Sequence, residues 1–256
     1  MSGQPFGAPD DRGLTLTVIG CAGSSYDPAQ LLPCSSYLLE SSGSTLLLEC
    51  GFGSFESLRT LRPRVQLDAA ILSHAHPDHV ADLAMFLEPP SLWRRAPRLI
   101  ASRATIESVP LDKAVLDAAS RYVKDRDRFV ANGFTAEFSA TTHQIPTLAA
   151  HIAMGGSRVV YSADTGPKWN VPATFRFPDV AIMECTIEER SDSSSPFHLD
   201  AREVAELVDT LSPSTTLLTH VPPGDDGEER RNIVQRRAPT SRVVLATVGL
   251  TIEVGK

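Results

Sequence analysis

The sequence predicts an α/β fold that carries its chemistry at the ends of its strands. Three observations predict it. Short apolar runs alternate with segments whose apolar residues recur at helical spacing, the alternation returns in the second half of the chain, and polar clusters follow directly on strand-like runs.

Taken in order, Leu14 to Ile19, Tyr37 to Leu39 and Thr45 to Glu49 read as strands separated by turns rich in Gly and Ser. A helix is predicted near Ser54 to Leu61, and Leu67 to Leu72 follows as a strand. Beyond it Val80, Leu83 and Leu87 recur at helical spacing until Pro89-Pro90 stops the helix. A second helix is predicted from Asp112 to Lys124, where Val115, Leu116 and Ala119 make an apolar stripe. The second half has strands at Phe134 to Ala140, Leu148 to Met154, Ser157 to Ala163 and Val180 to Met183. Helix Ala201 to Leu211 is marked by the D-x-x-E capping pattern of Asp200 and Glu203, with Val204, Leu207, Val208 and Leu211 as its buried face. Leu217 to Thr219, a short helix around Glu228 to Arg236, and strands Val243 to Thr247 and Thr251 to Val254 complete the chain.

With 256 residues and 42% hydrophobic content the chain can bury a substantial core. Met1 to Gly13 reads as a flexible N-terminal segment, and residues 14–256 as one domain. That first segment lacks the basic start and apolar run of a signal peptide, and no apolar run approaches the roughly 20 residues of a membrane span. Cytoplasmic localisation without membrane attachment is the expectation. The formal net charge is −7, from 31 acidic and 24 basic residues, which repels a polyanion and favours a small-molecule substrate over nucleic acid. Local basic groups, at Trp93-Arg94-Arg95 with Arg98 and Arg103 and at Arg230, Arg231, Arg236 and Arg237, read as solvated faces.

The most informative run is Ser73-His74-Ala75-His76-Pro77-Asp78-His79, directly after the strand Leu67 to Leu72. Burying such imidazoles and a carboxylate costs free energy unless hydrogen bonds or a cation offset it. Imidazole nitrogen and carboxylate oxygen suit zinc, manganese or iron. Cys21, Cys34, Cys50 and Cys185 form no C-x-x-C and read as small buried hydrophobes in a reducing compartment. Further along, Phe134 to Thr142 ends at His143, Val159 to Ala163 at Asp164 and Thr215 to Thr219 at His220. Residues at strand ends converge on one sheet edge, which gathers distant side chains into a single site.

The order His-x-His-x-Asp-His, then His143, Asp164 and His220, resembles the metallo-β-lactamase superfamily over nearly the whole chain. The resemblance implies a four-layer αββα sandwich, two sheets face to face with helices outside. It implies two divalent metal ions, zinc by default with manganese or iron admitted by the carboxylates. His74, His76 and His143 would hold one, Asp78, His79 and His220 the other, and Asp164 would bridge them. Two ions about 3.5–4 Å apart turn a shared water into hydroxide near neutral pH, the reagent of a hydrolase.

His198, in Phe197-His198-Leu199-Asp200, resembles a catalytic histidine of the RNase Z-like branch, and Glu184, in Met183-Glu184-Cys185-Thr186, resembles the glutamate that orients it. The catalytic residues implied are Asp78, His198 and Glu184. Ile19-Gly20-Cys21-Ala22-Gly23-Ser24, Cys34-Ser35-Ser36-Tyr37-Leu38 and Glu49-Cys50-Gly51-Phe52-Gly53 agree with that branch. Two departures stand out. Asp200 replaces the Ser or Thr common two places after the histidine, and the stretch from His143 to Asp164 has no room for the long Gly/Pro-rich arm of tRNA 3′-processing enzymes. The reading is therefore a phosphodiesterase acting on a small, cyclic-nucleotide-like phosphodiester. The alternatives are a thioesterase or lactonase of the same fold and, behind them, a tRNA 3′-processing endonuclease or a non-catalytic scaffold. Dimers are common in this branch, so a homodimer is admitted. Pro89 to Pro97, with Trp93, Arg94 and Arg95, is open to two readings, a substrate lid or a packed loop, and His151 receives no role.

Overall fold

Leu46 and Leu48 face one apolar layer while Leu47 between them faces another, so this strand is buried on both sides. The computed structural model describes residues 13–23, 32–87, 93, 96–131, 133–188, 190–191, 195–222, 224 and 227–255; the predicted N-terminal segment falls outside them except for Gly13. In chain order the first strands are β1 (Leu14–Gly20), β2 (Ser36–Ser41), β3 (Ser44–Leu48), β4 (Ala69–Ile71), β5 (Arg98–Ala101) and β6 (Ser120–Tyr122). They are followed by β7 (Arg128–Ala131), β8 (Phe134–Ala140), β9 (Leu148–Met154), β10 (Ser157–Tyr161), β11 (Val180–Glu184), β12 (Thr215–Thr219), β13 (Arg242–Leu245) and β14 (Thr251–Val254).

These form two seven-stranded sheets, in the orders β14-β1-β2-β3-β4-β5-β6 and β13-β12-β11-β10-β9-β8-β7. Each has an antiparallel portion and a parallel one, with β3, β4, β5 and β6 parallel in the first and β10, β11, β12 and β13 parallel in the second. Leu16, Tyr37, Leu48, Ile152, Tyr161 and Ile182 belong to the apolar layer between the sheets.

Helices α1 (Ser54–Leu61), α2 (Pro77–Val80), α3 (Leu83–Leu87), α4 (Arg103–Ser108) and α5 (Lys113–Ala119) cover the first sheet, burying Leu58, Phe86, Ile106 and Leu116. The second is covered by α6 (Ala201–Leu211) and α7 (Gly227–Arg237), which bury Val204, Leu211 and Val234. The result is the four-layer αββα sandwich. The predicted capping box of α6 forms as read, Asp200 accepting from the Arg202 and Glu203 amides while Glu203 accepts from the Asp200 amide. No helix among the described residues is long and apolar enough to cross a membrane.

Three local readings need correction, and one left open is decided for Trp93. The helix predicted through Lys124 stops at Ala119, because residues 120–122 find backbone partners on β5 and become an edge strand. The helix predicted through Val80, Leu83 and Leu87 is two short helices, broken at Asp82, whose amide donates to the Cys50 carbonyl and whose carboxylate accepts from the Phe55 amide. Trp93 is buried, donates to the Phe86 carbonyl at 2.8 Å and stacks on that ring, so it is core; Arg94 and Arg95 lie outside the described residues. Arg230 is buried, with Nη2 donating to the Thr186 carbonyl, and is no part of a solvated face. Strands β5 and β7 and helix α4 were not predicted; β7 has little apolar alternation to read.

Candidate metal centre

The chain leaves several strands at one rim of the sandwich, and each exit delivers a polar side chain. The chain runs from β4 into residues 73–79, from β8 towards His143, from β10 to Asp164 and from β12 to His220, while β11 ends in Glu184 itself. In open α/β sheets such a crevice beyond the carboxyl ends of parallel strands is the usual ligand site. Locally, Pro77 occupies the first turn of α2 with His76 as its N-cap, a placement that needs no proline amide. That turn buries Asp78 and His79 and leaves His76 partly exposed. Gly51 packs against the backbone of Asp78 so closely that a Cβ would overlap the Asp78 carbonyl, and a Cβ on Gly23 would come within 2.8 Å of the His220 ring. The glycine motifs thus form the floor beneath these side chains.

All seven residues expected to bind metal converge here, in two groups sharing Asp164. His74, His76, His143 and Asp164 form one, Asp78, His79, Asp164 and His220 the other, with the potential donor atoms of each group within 4.8 Å of one another. In the first, His76 Nδ1 lies 3.0 Å from His74 Nε2 and 3.1 Å from His143 Nε2. Asp164 Oδ2 stands 3.7 Å from His74 Nε2 and 3.8 Å from His143 Nε2. Its other oxygen, Oδ1, stands 3.4 Å from His79 Nε2 and 3.5 Å from His220 Nε2, so one carboxylate addresses both groups. Asp78 Oδ2 closes the second group at 3.0 Å from His220 Nε2 and 3.4 Å from His79 Nε2.

These residues fit a bound cation. Asp78 Oδ1, Asp164 Oδ1 and both ring nitrogens of His79 are buried without a hydrogen-bond partner, an arrangement costly in a structural core and expected of donors awaiting an ion. The electrostatics agree. Burial lowers the pKa of His74, His76 and His143, which favours the neutral imidazole that ligates. Burial opposes ionisation of Asp78 and Asp164, yet His79 and His220 beside them hold both well below the usual carboxylate range. The same carboxylates overcome burial to raise His220 to about 9. Protons on imidazole here balance carboxylate charge that a divalent cation would balance instead.

Polar neighbours orient the rings. Ser73 Oγ lies 2.8 Å from His74 Nδ1, and His143 Nδ1 lies 3.1 Å from the Phe197 carbonyl. Thr186 Oγ1 sits 2.7 Å from His220 Nδ1 and donates to Glu184 Oε2 at 2.6 Å. Glu184 also accepts from the Thr165 amide at 2.7 Å and lies 3.1 Å from His198 Nδ1, so it anchors His198 and, through Thr186, His220. The His198 ring lies between the groups, 5.1 Å from His143 and 5.8 Å from His220 by ring centroids. His151 is elsewhere, on β9 against Phe175.

Three participants were missed in the sequence. Thr186 was read only as a motif neighbour of Glu184, and Arg190 gave no signal. Glu49 was read as a strand end and part of a glycine motif. It is fully buried at φ +64°, accepts from the Ser73 amide at 3.1 Å and lies 3.7 Å from His79 Nδ1. An acidic residue closing an apolar strand before a glycine was the available clue. The cysteines are all free; Cys50 and Cys185 are buried, Cys21 and Cys34 partly so.

Residues 44–221 match the family model described as "Beta-lactamase superfamily domain". The Bacillus subtilis protein named "Probable metallo-hydrolase YhfI" is 29% identical over 216 residues, 82% of this chain and 87% of that one. Its crystal structure superposes with a TM-score of 0.80 at 25% identity, covering 94% of this chain and 99% of the other. A ribonuclease Z of Haloarcula marismortui is 23% identical over 269 residues, 81% of this chain and 86% of that protein. A diphosphatase of the PhnP family shares the fold, with a TM-score of 0.72 at 19% identity over 94% of this chain and 97% of the other. The matched stretch begins at β3 and runs through His220, and the chain accordingly belongs to the β-lactamase superfamily, as a metallo-hydrolase of the metallo-β-lactamase fold.

Proposed function

We propose that the protein hydrolyses a small phosphodiester of cyclic-nucleotide size. Two divalent ions, zinc by the dominance of imidazole donors, would be held by His74, His76 and His143 and by Asp78, His79 and His220, with Asp164 shared. The observation that carries the reading is the Glu184–His198 pair. With His198 Nδ1 engaged by Glu184 at 3.1 Å, Nε2 is the nitrogen left for a substrate lying against both groups. A thioesterase, whose thiolate departs without a proton, has less need of such an acid, and the lactone in the test separates the remaining alternative.

When bound, the ions supply Lewis-acid polarisation and a water of lowered pKa. Water adds to phosphorus and the P–O bond to the leaving alcohol breaks. His198 Nε2 gives that oxygen its proton and the proton shed by water leaves to solvent, while Asp78, a carboxylate held well below the usual range, would orient that water from the second group. Burial lowers the pKa of His198, but the hydrogen bond and charge of Glu184 outweigh it and raise it above the ordinary value, which suits an acid. The ribonuclease Z relative supports phosphodiester chemistry. The stretch where an RNA-gripping arm would stand is the hairpin β9–β10, turned by Gly155 and Gly156 at φ +58° and +81°, and the net charge of −7 also favours a small substrate.

The test is turnover of bis-p-nitrophenyl phosphate and of 2′,3′- and 3′,5′-cyclic nucleotides beside a thioester and a lactone, with zinc or manganese added. Cyclic-nucleotide turnover that vanishes in His76→Ala and falls by about 10²–10³ in His198→Ala, with a much smaller His198→Ala loss on bis-p-nitrophenyl phosphate, supports the reading. Turnover of the acyl substrates alone overturns it.

A further inference from the structure

His198 lies in the irregular segment between β11 and α6, where no strand or helix ladder holds its backbone. Glu184 fixes one atom of the ring. The other end of the residue is fixed by Arg190, whose Nη2 donates to the His198 carbonyl at 2.6 Å and whose Nη1 donates to the Ser195 carbonyl at 3.0 Å. The guanidinium is itself held by Glu203, through Nη2 to Oε2 at 2.7 Å and Nε to Oε1. Its backbone is held too, the Arg190 amide donating to Asp200 Oδ2 at 3.2 Å. Asp200 Oδ1 meanwhile caps α6, accepting from the Arg202 and Glu203 amides at 2.9 Å each. One planar fork therefore ties the start of α6 to the carbonyl of His198, a geometry that lysine, with a single nitrogen, cannot reproduce.

We propose that Arg190, anchored by Asp200 and Glu203, is the positioning residue for His198, setting where Nε2 meets the leaving oxygen. This rests on the reading of His198 as the acid. It also accounts for Asp200 standing where the resemblance implies Ser or Thr. A hydroxyl caps a helix as well as a carboxylate does, but only a carboxylate has a second oxygen for the Arg190 amide. The charge at Asp200 is turned to the helix start and to Arg190.

The experiment uses the zinc-loaded enzyme and two phosphodiesters that differ in leaving group. p-Nitrophenolate departs with little help from an acid, whereas the sugar alkoxide of a cyclic nucleotide needs a proton. Arg190→Ala is expected to lower kcat on the cyclic nucleotide by roughly 10- to 100-fold, with a loss of only about 2- to 3-fold on bis-p-nitrophenyl phosphate and unchanged zinc content. In the His198→Ala background the same change should cost nothing more. Asp200→Ser keeps the cap and removes the Arg190 acceptor, and should shift the same ratio in the same direction; it carries the test if Arg190→Ala does not fold. A second readout is the downfield Nδ1–H proton resonance of His198, identified by its loss in His198→Ala, which should broaden or move in both variants. Equal losses on the two substrates, an added loss in the double variant, or an unmoved resonance overturns the proposal. If His198→Ala itself loses equally on both substrates, the acid reading falls and the clamp with it; a leaving-group effect in His198→Ala but not in Arg190→Ala removes the clamp alone.

Discussion

Replacing Thr186 by Val keeps its shape and deletes one oxygen, and that oxygen has two partners. Oγ1 donates to Glu184 Oε2 at 2.6 Å and lies 2.7 Å from His220 Nδ1. An ionised carboxylate can only accept, so the hydroxyl proton is committed to Glu184 and His220 must supply Nδ1–H. Once an ion has displaced the proton on Nε2, the tautomer that remains presents its lone pair towards Asp78 and Asp164, where that ion would sit. Valine leaves a buried Nδ1–H unpaired, at about 1–3 kcal/mol, and releases the preference for the ligating tautomer. At 1.4 kcal/mol per tenfold this is roughly 5- to 150-fold in affinity for the ion of the second group. The assay is competitive zinc titration against a chelating dye, wild type beside Thr186→Val, with one of two affinities expected to fall. Glu184 keeps its bonds from the Thr165 amide at 2.7 Å and the Leu199 amide at 3.4 Å, so the preference between good and poor leaving groups should survive. Two zinc sites of wild-type affinity in the valine variant would refute the reasoning.

In Glu184→Gln the high-pH limb of kcat should move to lower pH: Glu184 raises the pKa of His198 against burial, and an acid is lost as pH rises through its pKa. A limb that stays in place assigns it to another group. Zinc binding at pH 7 should release protons, because Asp164 and Asp78 raise His220 to about 9 despite its burial and an ion must displace what that ring holds. Calorimetry in buffers of different ionisation enthalpy measures this release, the affinity should rise with pH up to about 9, and a buffer-independent heat contradicts it. Gly51→Ala should lower stability by about 1–3 kcal/mol and reduce zinc content, since the new methyl overlaps the Asp78 carbonyl; an unchanged melting temperature would show that the floor yields.

What was legible in the sequence were features with a period or a spacing. Strand β9 carries the predicted bounds of Leu148–Met154, and α6 begins at its predicted cap, because alternation and a D-x-x-E box are local signals. The residues at strand ends were legible for the same reason, as polar groups interrupting apolar runs. What was not legible depends on partners distant in sequence or irregularly spaced along it. Residues 120–122 are strand because β5 lies beside them, and the break at Asp82 depends on Cys50 and Phe55. Thr186 joins the site through His220, far along the chain, whereas the partners of Arg190, namely Ser195, His198, Asp200 and Glu203, are near in sequence but follow no repeating spacing that could be read.

The rim shows why such a site can be built from so few residue types. Glu49, Ala163 and His220 all take left-handed backbone, at φ +64°, +52° and +60°, a region disfavoured for residues with a Cβ. Each stands just past the end of a strand, β3, β10 or β12, where the chain must turn away from the sheet. The turn at Ala163 presents Asp164 to both groups, that at His220 presents its own ring, and that at Glu49 brings a carboxylate behind His79. Such strain persists only where the surroundings over-determine it, and here they do: Glu49 is tied by its amide to the Ile71 carbonyl and His220 by its amide to the Cys21 carbonyl, while Ala163 is packed into the layer between the sheets. The two sheets therefore do more than carry donors to a common edge. Their backbone ladders hold strained turns that aim those donors, so the stability of the sandwich and the order of the site are coupled through the same few residues.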